Sequence, residues 1–313
     1  MARKAAVIAG RRGFRRLTTE SQSVPAAPLK AALWMLGALL SFSGMAVAGR
    51  EISAELDTFQ LMFYRSVLGF LIILGIAAAT GGFGQFQTRR LGLHVSRNAI
   101  HFVGQFGWFY GVALIPLAEV FAIEFTSPLW VALLAPFFLG ERLTRARVLA
   151  VVVGFCGAMV VIRPGFTEFN AGTLAVLVAA LGFAGSTITT KRLAATEAPL
   201  AILFYMSLVQ APLGLLPSLG NLQMPGGVTW AWLVVVTLAG LSAHFCMAQA
   251  FRRADATLVI PIDYLRLPLI ALVGMALYAE PLDPFILIGG AIILAGNYWN
   301  IRAETRPVAG PGA

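Results

Sequence analysis

Long apolar runs alternate along this chain with short stretches that carry glycine, proline and charge. Ten runs of 17 to 22 residues stand out. The first five are Ala31–Gly49, Phe59–Ala79, Asn98–Leu114, Ala118–Leu139 and Val148–Pro164. The second five are Gly172–Thr190, Leu200–Leu219, Thr229–Ala250, Thr257–Tyr278 and Phe285–Ile301. A helix needs about 20 residues to cross about 30 Å of hydrocarbon. Transmembrane barrels alternate apolar and polar positions in much shorter segments, a pattern this chain does not follow. The pattern predicts an all-α integral membrane protein with ten transmembrane helices. The turn near Pro116, between the third and fourth runs, is almost uncharged and is the weakest boundary.

Charge sets an expected orientation, because short exported loops are poor in Lys and Arg. With the N-terminus inside, nineteen of the 23 basic residues fall on the cytoplasmic side: the tail, Arg89 to Arg97, Arg142 to Arg147, Lys191 with Arg192, Arg252 with Arg253, and the C-terminal end. Arg50 and Arg163 fall outside, and Arg65 and Arg266 lie within runs. Both termini are therefore expected in the cytoplasm. Residues 1–28 read as a disordered basic cytoplasmic tail without the apolar core of a signal peptide, and 303–313 as a second cytoplasmic tail.

The two halves of the chain match one another. At an offset of 141, Leu40-Ser41-Phe42-Ser43-Gly44 falls on Leu181-Gly182-Phe183-Ala184-Gly185, and Phe63-Tyr64-Arg65-Ser66 on Phe204-Tyr205-Met206-Ser207. At 139, Glu124-Phe125 meets Asp263-Tyr264, Glu141 meets Glu280 and Gly157 meets Gly296. The expected organisation is two five-helix repeats, 31–164 and 172–302. Five is odd, so the copies are inverted, an architecture of carriers that bind cargo near the bilayer midplane.

Each repeat closes its fourth span with an acid after a small residue, Leu139-Gly140-Glu141-Arg142-Leu143 and Tyr278-Ala279-Glu280-Pro281-Leu282, and the fifth span carries Gly154, Gly157 and then Arg163-Pro164-Gly165. In these features the chain resembles the EamA-type carriers of the drug/metabolite transporter superfamily over residues 31 to 302. The resemblance implies export or uptake of small metabolites such as amino acids, their derivatives or vitamins. It transfers no catalytic residue, and Ala279 stands where the family usually has glycine.

Ionisable residues within spans are costly and mark function or buried pairing. Glu124 and Asp263 occupy equivalent repeat positions, each about 10 Å into its span by helix rise. They read as a site for a cationic or zwitterionic cargo or a coupling proton, or alternatively as buried acids paired with bases. Arg266, three residues after Asp263, shares its helix face and can pair with it. Arg65 has no basic repeat mate and can hold a cargo carboxylate or neutralise Glu124. Glu119 reads as a solvated acid at a helix start, where the dipole favours it. His101 and His244 suit a proton path or an interhelical hydrogen bond, and Tyr264 adjoins Asp263. Pro128, Pro261 and Pro268 interrupt the fourth and ninth spans near the acids. Glu141 and Glu280 sit at helix C-termini, where the dipole disfavours an acid, and read as structural acids that need a partner base.

Composition agrees with a membrane protein: 58% of 313 residues are apolar and 12% charged, outside the usual range of soluble domains. The net charge of +9 follows from basic loops and does not imply nucleic acid. Cys156 and Cys246 show neither disulfide nor metal-site spacing, and no metal or cofactor is expected. No GxxxxGK[ST], HExxH or GxSxG segment is present, which argues against an ATPase and against an enzyme. The partners expected are a small-molecule substrate and the lipid bilayer, and a homodimer is compatible with this reading. Three lysines among 23 basic residues, with abundant Ala, Gly and Leu, fit a bacterium of high GC content and its inner membrane. The reading is a secondary transporter moving an amino-acid-like, zwitterionic or cationic compound by alternating access. Export is the expected direction. The alternatives are an uptake carrier for a vitamin or other metabolite, and a membrane-embedded enzyme acting on lipid.

Overall fold

The computed structural model describes residues 28–140, 144–164, 170–194, 196–254, 259 and 262–304. The expectations placed on residues 1–27, Glu141 with Arg142, Thr257, Pro261 and the chain beyond 304 lie outside the described residues. The helices are α1 (Pro28–Ile52), α2 (Thr58–Thr80), α3 (Leu91–Leu114), α4 (Leu117–Glu124), α5 (Ser127–Leu139) and α6 (Arg145–Ile162). The second half holds α7 (Ala171–Ala194), α8 (Pro199–Ser218), α9 (Gly227–Phe251), α10 (Arg266–Tyr278) and α11 (Pro284–Glu304). Among the described residues seven helical segments are long and apolar enough to cross a membrane, the fourth span counted as one piece, and Arg147–Ile162 and Arg266–Tyr278 are shorter apolar helices. The molecule is an all-α membrane protein. Leu33, Leu71, Phe137, Val152, Leu272 and Ile288 are exposed on its outer face, while Arg65, Arg97, Asn98, His101, Gln105 and Arg266 are buried within. This arrangement suits a chain whose solvent is hydrocarbon.

Local chemistry sets the ends of these helices. Asp57 caps α2 by accepting the Gln60 amide at 2.9 Å. Thr144 does the same for α6 through the Arg147 amide, 3.2 Å away. At Gly81 the backbone takes a φ of +64°, which closes α2 in the left-handed region that glycine enters without strain. The third span differs from expectation. It starts at Leu91, seven residues before Asn98, so Arg97 is a buried residue of the helix and not part of a loop.

The fourth span is broken between α4 and α5. Pro128 has no N–H to return to the Glu124 carbonyl, and the ladder tightens instead, with the Leu129 amide bonding the Thr126 carbonyl at 2.9 Å. The freed Phe125 carbonyl accepts Asn297 Nδ2 of α11 at 2.8 Å. The ninth span tightens in the same way ahead of α10. Leu265 N bonds Ile262 O at 3.1 Å and Leu267 N bonds Tyr264 O at 3.2 Å, with Pro268 lacking the next donor. The two bends meet: Phe125 and Tyr264, repeat mates, make an edge-to-face pair with centroids 5.6 Å apart.

The most extensive helix pairings are α3 with α7, α1 with α9, α6 with α11 and α2 with α8. If the first span corresponds to the sixth and the third to the eighth, the first two pairings are copies of one another. The other two each join a helix to its own counterpart. This is the pattern a two-fold relation between halves requires, and with five spans per half the copies run in opposite directions across the membrane. The α6–α11 contact depends on glycine. A Cβ at Gly157 would stand 2.7 Å from the Gly289 carbonyl oxygen, and one at Gly289 would stand 2.6 Å from that of Gly157, so the backbones approach as only glycine permits.

Candidate functional site

A cavity of about 360 Å³ lies between α1, α3, α7 and α9, over the bends of the fourth and ninth spans. On α3 the lining residues Arg97, His101, Gln105 and Trp108 follow at intervals of four, four and three, which places them on one helix face. On α7, Phe183, Ser186, Thr187 and Thr190 repeat the same helical spacing. Phe42 of α1 and Phe183 of α7 are repeat mates and face the cavity from their two helices. His244 of α9 completes the wall.

The deep end is an ionic cluster. Glu124 Oε2 accepts Trp108 Nε1 at 2.7 Å, and Glu124 Oε1 lies 3.3 Å from Arg266 Nη2. The same Arg266 nitrogen lies 3.4 Å from Asp263 Oδ2. Around this guanidinium stand three rings, with its carbon 4.5 Å from the Phe42 centroid, 5.0 Å from Phe125 and 5.1 Å from Phe121. Such faces favour a cation. With both acids ionised the cluster keeps a net negative charge. Asp263 Oδ1 is buried and has no hydrogen-bond partner among the described residues.

The opposite charge lies toward the mouth. Arg97 is buried and bonded to neutral partners, Thr190 Oγ1 at 3.0 Å and Asn98 Oδ1 at 2.7 Å. Beside it Thr187 is exposed. Gln210 Nε2 lies 2.9 Å from His101 Nδ1, and Gln105 Oε1 is buried with no partner among the described residues. The cavity therefore presents a carboxylate at one end, a guanidinium at the other, and rings with unsatisfied polar atoms between.

Beyond the ionic cluster a set of polar contacts ties the helix ends together. Glu280, which follows α10, takes Arg50 Nη1 at 3.1 Å and the Leu117 amide at the start of α4 at 2.9 Å. Arg50 also donates to the Ile115 carbonyl at 2.6 Å and, through Nε, to Val112. Tyr278 OH donates to Glu51 at 2.8 Å, and Arg163 pairs with Asp283. In the loop after α1, Glu55 accepts Thr229 Oγ1 and the Gly226 amide, and these two bonds hold its carboxyl below the usual range.

The residues singled out in the sequence separate on this geometry. Glu124, Arg266, His101 and His244 line the cavity. Asp263 stands behind Arg266, outside the lining, so the two acids are joined through one guanidinium and do not flank the cavity symmetrically. Tyr264 packs on Phe125 at the crossing of the bends. Arg65 is directed to a separate small chamber and makes no ion pair with Glu124. Glu119, read from the sequence as a solvated acid, accepts Thr173 Oγ1 of α7 at 2.9 Å. Arg97, Ser186, Thr187 and Thr190 were missed. The four- and three-residue spacing of the α3 polar residues is the signal that finds Arg97.

Opposed helical halves wrapped around a polar cavity that is clamped at one end define a membrane transporter. The chain belongs to the EamA-like transporter family, whose model matches residues 29–163 and 170–302. It is similar to an S-adenosylmethionine uptake transporter of Rickettsia felis, 29% identical over 88% of this chain and 94% of the relative. It is similar also to a riboflavin transporter of Vibrio cholerae, 29% identical over 89% and 95%. A pseudopaline exporter of Pseudomonas aeruginosa is 27% identical over 82% and 90%. A solved crystal structure shares the fold at a TM-score of 0.62 and 20% identity, covering 88% of this chain and 99% of the other. The protein is a multi-pass transporter of small metabolites and not an enzyme.

Proposed function

We propose that the cavity takes an amino-acid-like, zwitterionic or cationic metabolite and that the bends of the fourth and ninth spans expose it alternately to the two sides of the bacterial inner membrane. The observation that carries this reading is the pair of opposite charges across one aromatic-walled cavity. A cationic group of the cargo meets Glu124, whose own partners are Trp108 and the shared Arg266. A carboxylate meets Arg97, which no acid among the described residues neutralises. A flat or apolar portion lies between Phe42 and Phe183. S-adenosylmethionine, the cargo named for the Rickettsia relative, combines these chemical elements: a sulfonium, an amino-acid head and a purine.

Alternating access requires the two ends to open in turn. The Arg50–Glu280 clamp closes one end while the cavity reaches toward Arg97, Thr187 and Thr190 at the other. Direction then belongs to the gradients acting on the cargo, and the names of the relatives include both uptake and export. Counterflow in proteoliposomes is the test. Vesicles preloaded with an unlabelled compound from a panel of S-adenosylmethionine, riboflavin and zwitterionic amino acids should accumulate the labelled form of at least one, chemically unchanged. Leakage without exchange, or conversion of the label, contradicts the reading.

The basic bias of the loops supports an orientation with both termini, Arg89 and Lys191 in the cytoplasm, so that the cavity faces inward in this conformation. With Cys156 and Cys246 replaced, single cysteines in the Gly220 to Val228 loop should react with an impermeant thiol reagent on intact cells. Cysteines near Arg145 should not. The reverse pattern overturns the orientation.

A further inference from the structure

Arg65 is the buried charge that the cargo cavity does not use. It lines a second cavity of about 20 Å³, bordered by α2, α8 and α9, together with Ser66, Ser207 and Gln210. These four residues are 8%, 5%, 4% and 1% exposed. Ser66 and Ser207 are repeat mates that reach the chamber from α2 and α8, whereas the mate of Arg65 is Met206. The chamber thus lies on the two-fold relation between the halves and carries charge on one side only. The guanidinium sits over the Phe109 ring, 5.5 Å from its centroid, and passes Gly240, where a Cβ would come within 3.2 Å of Nη2.

Among the described residues no acid pairs with Arg65, and Arg65, Ser66 and Ser207 all border the chamber. Glu124 and Asp263, the nearest candidates in function, both pair with Arg266. A buried charge without a counter-charge is strongly unfavourable. We infer that the chamber binds one monatomic anion, chloride under physiological conditions, held by Arg65 and by the hydroxyls of Ser66 and Ser207.

Size selects the ion. A space of about 20 Å³ admits one or two water-sized spheres, which suits a halide. The donor set selects the sign, since guanidinium offers only donors and a serine hydroxyl can turn its proton inward. His244 lines both this chamber and the cargo cavity, so it is the wall through which the ion's charge reaches the cargo. Binding of the ion goes beyond the proposed cargo and does not depend on which metabolite the larger cavity takes.

The test is thermal unfolding of the protein in lipid nanodiscs at constant ionic strength, with gluconate replaced stepwise by chloride or bromide. Saturable stabilisation by halide, a rise in Tm of a few degrees, is expected for the wild type. Arg65→Gln should lose this dependence. Ser207→Ala, which removes a donor without adding volume, should fold and shift half-saturation to a several-fold higher halide concentration. A wild type indifferent to halide overturns the proposal, as does an Arg65→Gln protein with unchanged halide dependence. Should Arg65→Gln fail to fold, unchanged half-saturation in Ser207→Ala overturns it and a shifted one supports it.

Discussion

Glu124→Gln should reach the membrane at wild-type levels and lose transport by roughly 30- to 100-fold, the kinetic equivalent of about 2 to 3 kcal/mol for a charge-assisted contact. The amide keeps the shape of the carboxyl and an oxygen for Trp108 Nε1, so the bend of the fourth span retains its local hydrogen bond. What disappears is the negative charge at the deep end of the cavity, where low dielectric strengthens its pull on a cationic cargo. Asp263→Asn should cost less, a few-fold, because Asp263 stands behind Arg266 and does not line the cavity. Glu119→Gln should transport nearly as the wild type, its partner being Thr173. Counterflow rates normalised to protein in the vesicles measure all three. Wild-type transport by Glu124→Gln would place the cargo elsewhere.

Arg266→Met should fail to accumulate. The substitution fills similar space but strands two carboxylates, Glu124 and Asp263, that share this one guanidinium, and breaking a buried pair from one side costs about 3 to 5 kcal/mol. It also empties the cage of Phe42, Phe121 and Phe125 of the cation its ring faces attract. Neutralising the acids together, as Arg266→Met with Glu124→Gln and Asp263→Asn, should restore accumulation while leaving transport lost. Membrane-fraction yield and the size-exclusion profile report the outcome. Normal yield of the single variant would mean that the cluster does not hold the bends together.

Much of the architecture is legible in the chain because lipid forces it. Each crossing must be a long apolar helix, so the runs stand out; Pro128 and Pro268 stand at the breaks, whereas Pro136, Pro212 and Pro217 lie inside continuous helices. The repeat is legible because the same positions do the same work in both halves, as Phe42 and Phe183 do in lining one cavity. The site was harder to read, since it is built from departures from that symmetry. Glu124 and Asp263 match in sequence, yet Arg266 has Ser127 as its mate, and the single guanidinium draws one acid away from the cavity. Arg97 looked like loop charge because hydropathy places the membrane boundary at Asn98, whereas the helix continues back to Leu91 and turns the arginine inward. Arg65 sits within a span like Arg266, and only the packing of α2 on α8 sends it to a chamber of its own.

The most direct test of the cavity as the cargo site is substrate protection of Thr187→Cys in a background lacking Cys156 and Cys246. Thr187 is exposed at the rim of the cavity, so the thiol should react readily with a small charged methanethiosulfonate reagent. Modification should abolish counterflow, and the exchanged metabolite should slow modification in proportion to its occupancy. A thiol that reacts at the same rate with and without the metabolite, in a protein that still transports after modification, would contradict the account.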